Sequence, residues 1–248
     1  MFDSSAGIIP LPQGTLHWIF WHNNQTVSTA KSADWLTSEE TSYWHSLKTD
    51  KRRADWLLGR RAAKQLVTRL VRVGNERDFA PNEISILPHA DGWPVVTFPH
   101  HHDPPVITLS ISHSHNRAFC AATLGANQVL GADIEYIEPR SAAFPDEYFT
   151  TLEQQFLSAA PAGQYTILSN AIWSAKEAVF KAIRRGLAED TRLVSCLPHP
   201  LMAGSPEWLP LRIVWSGERS DRPLPELKGW WRVMDGMVAT LAFAAVTG

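Results

Sequence analysis

Asp133-Ile134-Glu135 and, further along the chain, Lys176-Glu177 with Lys181 are the residues whose types and spacing most suggest chemistry. On extended backbone successive side chains alternate faces, so Asp133 and Glu135 project together while Ile134 points into the core. Two carboxylates about 7 Å apart along a strand repel each other unless a cation lies between them. A helix turns about 100° per residue, which gathers Trp173, Lys176, Glu177, Phe180 and Lys181 within an arc of roughly 140°. That face mixes large apolar groups with a carboxylate between two ammonium groups. Unpaired buried charge is expensive, so these charges need partners, and a metal ion with a polyphosphate would supply them. Glu177 then becomes a third oxygen ligand beside Asp133 and Glu135. Mg²⁺ suits such a set, because it takes oxygen ligands in octahedral geometry and binds through few carboxylates plus substrate phosphates. Three carboxylates, one Mg²⁺ and a pyrophosphate leave a charge of about -3, which Lys176, Lys181 and a nearby His or Arg offset. Taken alone, the D-x-E pattern equally describes a strand face salt-bridged to lysine; the K-E-x-x-x-K helix downstream favours the metal.

Ser112-His113-Ser114 offers a hydroxyl and an imidazole at a strand end, both able to donate to phosphate oxygens. A Ser/His hydrolase is excluded: the chain has no G-x-S-x-G elbow, and adjacent Ser112 and His113 do not form a nucleophile–base pair. Neither G-x-x-x-x-G-K-[ST] nor G-x-G-x-x-G occurs, so no Walker or Rossmann phosphate cradle is expected. His100, His101 and His102 lie between prolines in a predicted loop. Neighbouring side chains there point apart, so a three-His metal site is not expected.

The elements that must position these groups follow from periodicity and turn signals. Thr15 to Trp21 reads as a strand. Thr37-Ser38-Glu39-Glu40 fits a capping box that starts a short helix. Lys51 to Arg72 carries Trp56, Ala63, Leu66, Val67, Leu70 and Val71 at helical spacing, with Arg52, Arg53, Arg60, Arg61 and Lys64 spread around it. Ile84–Leu87 and Val95–Phe98 are strands around a turn at Asp91-Gly92. Val106–Ser112 and Ala118–Leu124 form a hairpin, and Val129–Ile137 a further strand. Helices follow over Phe144–Ala159 and Ile167–Arg185, the latter ended by Gly186. Strands at Leu211–Trp215, Trp230–Met234 and Val238–Ala245 close the chain, the last two joined at Asp235-Gly236. Both halves run from helical segments into strands, which suggests a coarse duplication split near Gly125. Phe149 and Glu153 form an F-x-x-x-E pattern that suits a functional pair or, equally well, a helix packing pair with a solvated carboxylate. Arg184 and Arg185 suit a helix C-terminus, or an acidic partner helix.

The net charge of -2, from 23 basic and 25 acidic residues, excludes a dedicated nucleic-acid binder. Cys120 and Cys196 make no disulfide framework, which points to a reducing cytoplasm. The N-terminus lacks the pattern of a signal peptide, and no apolar run approaches the roughly 20 residues that span a bilayer.

SISHS (110–114), GADIE (131–135) and WSAKEAVFKA (173–182), in this order and spacing, resemble the 4'-phosphopantetheinyl transferase superfamily, of the longer Sfp type. WLLGRRAAKQLV (56–67) is similar to the family's N-terminal helix, and DGWP (91–94) to its G-K-P turn. The resemblance implies an α+β fold of two similar α/β halves, 1–125 and 126–248, pseudo-duplicated, with coenzyme A bound in the cleft between them. It implies transfer of 4'-phosphopantetheine from coenzyme A to a serine of an apo acyl or peptidyl carrier protein, releasing 3',5'-ADP, by a cytoplasmic monomer that needs neither nucleic acid nor membrane. Matched by position, Asp133, Glu135 and Glu177 would hold Mg²⁺, with Glu177 and Lys181 catalytic. Ser112, His113, Lys176 and Lys181 would contact phosphates, and Arg60, with Arg53, the 3'-phosphate. The chain departs from the pattern at Trp93, Glu40 and Tyr43, where the family carries basic residues. Two other readings stand beside this one: a non-catalytic coenzyme A-binding module, and a metal-dependent phosphohydrolase.

Overall fold

A large hydrophobic core organises each of two compact units, Met1–Ala126 and Asn127–Gly248. The computed structural model describes residues 3–12, 14–22, 34–75, 78–185, 189–202, 207–216 and 224–245. The first unit runs β1 (Asp3–Leu11), β2 (Gly14–His22), α1 (Ser38–Ser46), α2 (Asp50–Asn75), a 3-10 turn at Pro81–Glu83, β3 (Ser85–Pro88), β4 (Pro94–Thr97), β5 (Ile107–Ser114) and β6 (Arg117–Leu124). Its main sheet is antiparallel in the order β1-β2-β6-β5, and β3-β4 form a separate ribbon. The second unit runs β7 (Gln128–Tyr136), α3 (Phe144–Tyr148), α4 (Thr151–Ser158), α5 (Tyr165–Ala182), a 3-10 turn at Thr191–Leu193, then β8 (Val194–Pro198), β9 (Leu209–Trp215), β10 (Lys228–Met234) and β11 (Met237–Ala245). Its sheet is antiparallel in the order β7-β11-β10-β9-β8. The chain is therefore mixed α and β, as its periodicities suggest.

Local chemistry explains where the elements differ from the sequence expectation. The helix expected over Phe144–Ala159 is two, because Thr150 is an N-cap in extended conformation whose hydroxyl accepts from the Glu153 N–H, restarting the helix. Gly186 lies outside the described residues. The helix α5 closes earlier, with Arg184 in the left-handed region (φ 57), the Arg185 N–H bonded to Phe180 O and the Arg184 N–H to Lys181 O. These two bonds form a Schellman motif built without glycine. The hairpin β5-β6 turns on His115 and Asn116 alone, both at positive φ, which leaves Ser112 and His113 inside the strand. Strands β1 and β8 have no counterpart in the sequence reading.

Each unit carries the same buried polar network. In the first, Thr37 caps α1, and Glu40 accepts from the Thr37 N–H (2.9 Å) and the Ile86 N–H (2.9 Å) while pairing with Lys64. Lys64 Nζ also donates to Trp35 O (2.9 Å) and Pro81 O (2.7 Å). In the second, Thr150 caps α4, and Glu153 accepts from the Thr150 N–H (2.8 Å) and the Cys196 N–H (2.6 Å) while pairing with Lys176 at 2.9 Å. Lys176 Nζ also donates to Thr191 O (2.7 Å) and Val194 O (2.6 Å). Both carboxylates are fully buried. Such pairs persist only because every charge is answered by several partners. Glu153 is thus not a solvated residue but the point where α4, α5 and β8 are tied together.

Candidate active site

Gly131 sets how closely α5 lies against β7. A Cβ at Gly131 would overlap the backbone carbonyl of Ala178 and come within 2.8 Å of the Ala182 nitrogen. Only glycine tolerates that approach. Asp133 and Glu135 share this helix-facing side of β7 by strand alternation, while Ile134, almost fully buried, lies on the other. The result is that the strand acids face the helix residues Glu177 and Lys181.

Lys181 Nζ donates to Asp133 Oδ1 at 2.6 Å and to Ala132 O at 3.3 Å. Arg140 Nη2 donates to Glu135 Oε2 at 2.9 Å, and the nearby Trp173 side chain also favours the charged form of that carboxylate. Glu177 is half-buried, and among the described residues nothing hydrogen-bonds to its carboxylate. Burial first, then the charge of Asp133, push the Glu177 carboxyl up to about 7; Lys181 pulls it back and Glu135 adds a smaller push. Burial and then Asp133 also raise Glu135, against the opposing pull of Arg140. Each acid therefore lies within electrostatic reach of the others, and their shared negative charge is only partly met by Lys181 and Arg140. Among the described residues no three such groups are drawn tightly enough to form a ready-made metal cage. The chemistry of the donor set nevertheless fits a hard divalent cation, which would relieve the repulsion that raises Glu177.

Lys176, expected to face phosphate, is fully buried in the Glu153 network and has three oxygen partners there. The 100° step explains the difference: Lys176 sits one residue before Glu177 and points to the β8 side of the helix. Its role is to anchor α5.

In the first unit, Arg60 and His113 meet at a cavity of about 350 Å³ whose lining also includes Arg52, Asp55, Tyr43 and Trp56. Arg60 is 8 % exposed, its Nε donates to Ile86 O (2.7 Å), and its guanidinium lies over the Trp56 ring. Burial draws its pKa down to about 10, against the opposing charge of Glu40. Arg53 is not part of this lining; it pairs with Asp50 at 3.0 Å. Ser112 is buried on the side of β5 opposite His113 and likewise does not line it. Trp93 stacks on His89 (ring centroids 3.9 Å apart) in the turn whose Gly92 and Pro94 border the cavity. Sequence patterns gave no hint of Arg140, Asn170 or Asp55. The second T-x-x-E box, at Thr150–Glu153, was a legible signal for the buried network.

Residues 129–227 match the family model of the 4'-phosphopantetheinyl transferase superfamily. The chain is 29% identical over 114 residues to 4'-phosphopantetheinyl transferase HetI of Nostoc sp. strain PCC 7120, an alignment covering 44% of this chain and 47% of that protein. It is 36% identical over 83 residues to holo-(acyl-carrier-protein) synthase of Exiguobacterium sibiricum, covering 34% of this chain and 62% of that one. The chain thus spans less than two thirds of the length of these relatives. The superfamily match covers β7, α5 and all three acids. No helix among the described residues is long and apolar enough to cross a membrane.

Proposed function

We propose that this protein transfers 4'-phosphopantetheine from coenzyme A to a serine of an apo acyl or peptidyl carrier protein, releasing 3',5'-ADP. The observation that carries this reading is Glu177: a half-buried carboxylate with no hydrogen bond among the described residues, pushed up to about 7 by burial and by Asp133, with Lys181 alongside. Asp133, Glu135 and Glu177 would hold Mg²⁺, which when bound supplies charge neutralisation for the diphosphate. Lys181 neutralises charge on the phosphate that accepts the attack, and His113 and Arg60 bind the remaining phosphates of coenzyme A. The serine Oγ bonds to the β-phosphorus as the bond from that phosphorus to 3',5'-ADP breaks, and the nucleotide leaves with the electron pair. Glu177 is the carboxylate placed to accept the serine proton. Positioning and charge carry such a transfer, so no covalent enzyme nucleophile is required. The similar element order and the twin buried networks support two pseudo-duplicated halves of the longer Sfp type. We read the chain as a cytoplasmic monomer.

The test is to incubate the protein with coenzyme A, Mg²⁺ and an apo carrier domain, then measure the intact mass of the carrier. Gain of one phosphopantetheine is the expected result. Free phosphopantetheine with unmodified carrier would mean a phosphohydrolase, and neither product would mean a binding module.

A further inference from the structure

Arg140 is a cation beside the acids that is held on several sides. Its Nη2 holds Glu135 Oε2 at 2.9 Å, its Nε donates to Asn170 Oδ1 at 3.0 Å, and its guanidinium lies 5.1 Å from the centre of the Phe144 ring. Asn170 is fully buried and is fixed in turn by donating Nδ2 to Glu138 O and Thr166 O, both at 2.8 Å. Near Glu135 lies Trp173, whose indole packs edge-on against Phe144 and Tyr148. Asn170, Trp173, Glu177 and Lys181 fall within an arc of roughly 80° on α5. One helix face thus presents its own acid and, through Asn170 and Arg140, also fixes the acid of the neighbouring strand.

We propose that Arg140, held by Asn170, is a positioning residue that orients the Glu135 carboxylate for a divalent cation. A carboxylate bonded through one oxygen to a fixed guanidinium keeps its other oxygen directed, and hydrogen-bonded partners of this kind set metal affinity by 10- to 100-fold. The fork of Arg makes both bonds at once, Nε to Asn170 and Nη2 to Glu135, which a lysine cannot reproduce. Arg140 is not a place-holder that must leave, since its bonds to Asn170 and its seat over Phe144 are independent of Glu135.

This inference rests on the metal reading of Asp133, Glu135 and Glu177, and the test separates the two. Binding of Mn²⁺ alone, followed by electron paramagnetic resonance, is compared for the wild type, Arg140→Ala, Arg140→Lys, Asn170→Ala, Glu135→Gln and the double variant Arg140→Ala/Glu135→Gln, each checked for folding by thermal melting. The expected result is affinity at least about 10-fold weaker in Arg140→Ala, partial recovery in Arg140→Lys, and no further loss on adding Arg140→Ala to Glu135→Gln. Wild-type affinity in a folded Arg140→Ala, tighter binding there, or full additivity in the double variant would overturn the role of Arg140 while leaving the metal reading intact. A wild type that binds no Mn²⁺ would overturn both. Should Arg140→Ala fail to fold, Arg140→Lys carries the comparison: undiminished affinity there counts against the proposal.

Discussion

Each of the two units builds a Thr–Glu–Lys network against an antiparallel sheet, and the residues placed around that network differ. Counting from the paired hairpin turns, Asp133 opposite Thr240 corresponds to Ile19 opposite Cys120, and Glu135 opposite Val238 to Trp21 opposite Ala118. Counting from the buried lysines Lys176 and Lys64, Glu177 corresponds to Gln65 and Lys181 to Arg69. All three acids of the second unit thus have neutral counterparts in the first. Gly131, where the α5 backbone lies against β7, corresponds to His17 in the first unit. The shared residues, Thr–Glu capping boxes and their lysines, are the ones that hold elements together. The differing residues crowd negative charge where the frame does not need it, which is the pattern expected of a site rather than of a scaffold.

Breaking the site should therefore cost activity in one unit only. Glu177→Gln and Asp133→Asn are each expected to lower turnover by about three orders of magnitude, as loss of preorganised charge does, with coenzyme A still bound. The counterpart change Gln65→Ala should leave the rate within about threefold, measured by carrier modification. Breaking the frame should cost both units alike. Lys176→Met and Lys64→Met each leave a buried glutamate without its charged partner, and each is expected to lose about 3–5 kcal/mol in urea titrations. Equal losses would support two matched anchors; a catalytic defect in folded Lys176→Met would return that residue to the site. Lys181→Ala should slow transfer by about a hundredfold with coenzyme A affinity less affected.

Glu177 also leaves a signature in stability. Its carboxyl is pushed up to about 7 in the fold, from an ordinary value of 4.5, so the folded protein holds a proton that the unfolded chain releases. The associated stability is present in full below about pH 4.5 and drains away as pH rises through about 7. Without metal, Glu177→Gln should exceed the wild type by on the order of 2 kcal/mol at pH 8, after allowance for solvent screening, and match it near pH 4.5. Gln65→Ala should show no such pH dependence. The smallest effect belongs to the α5 terminus: Arg184→Gly relieves a left-handed residue and should stabilise by about 1 kcal/mol.

The sequence made most of this frame legible because its signals are local. The T-x-x-E box at Thr37, the turn at Asp235-Gly236 and the alternation around Ile134 all act within a few residues. Strand β1 was hidden because Gly7 and Pro10 interrupt its pattern, and β8 because Pro198 and few charges leave Val194–Pro198 without alternation. The D-x-E and K-E-x-x-x-K patterns were legible because alternation and the 100° step put Asp133 and Glu135 on one face of β7 and Glu177 with Lys181 on one face of α5, and the charges of Asp133 and Glu135 both act on Glu177. Lys176 was misassigned because a 140° arc does not reveal which edge meets a second element, here β8 and Glu153. Arg140 escaped notice because its partners, Glu135 and Asn170, are far apart in sequence and converge only when α5 docks on β7.

The most direct measurement is anomalous scattering from crystals grown with coenzyme A and Mn²⁺. The expected result is one Mn²⁺ peak within direct coordination distance of carboxylate oxygens from Asp133, Glu135 and Glu177, with the diphosphate completing its shell. A peak elsewhere, or a bound coenzyme A with Asp133 still closed on Lys181 and Glu177 facing no ion, would contradict it.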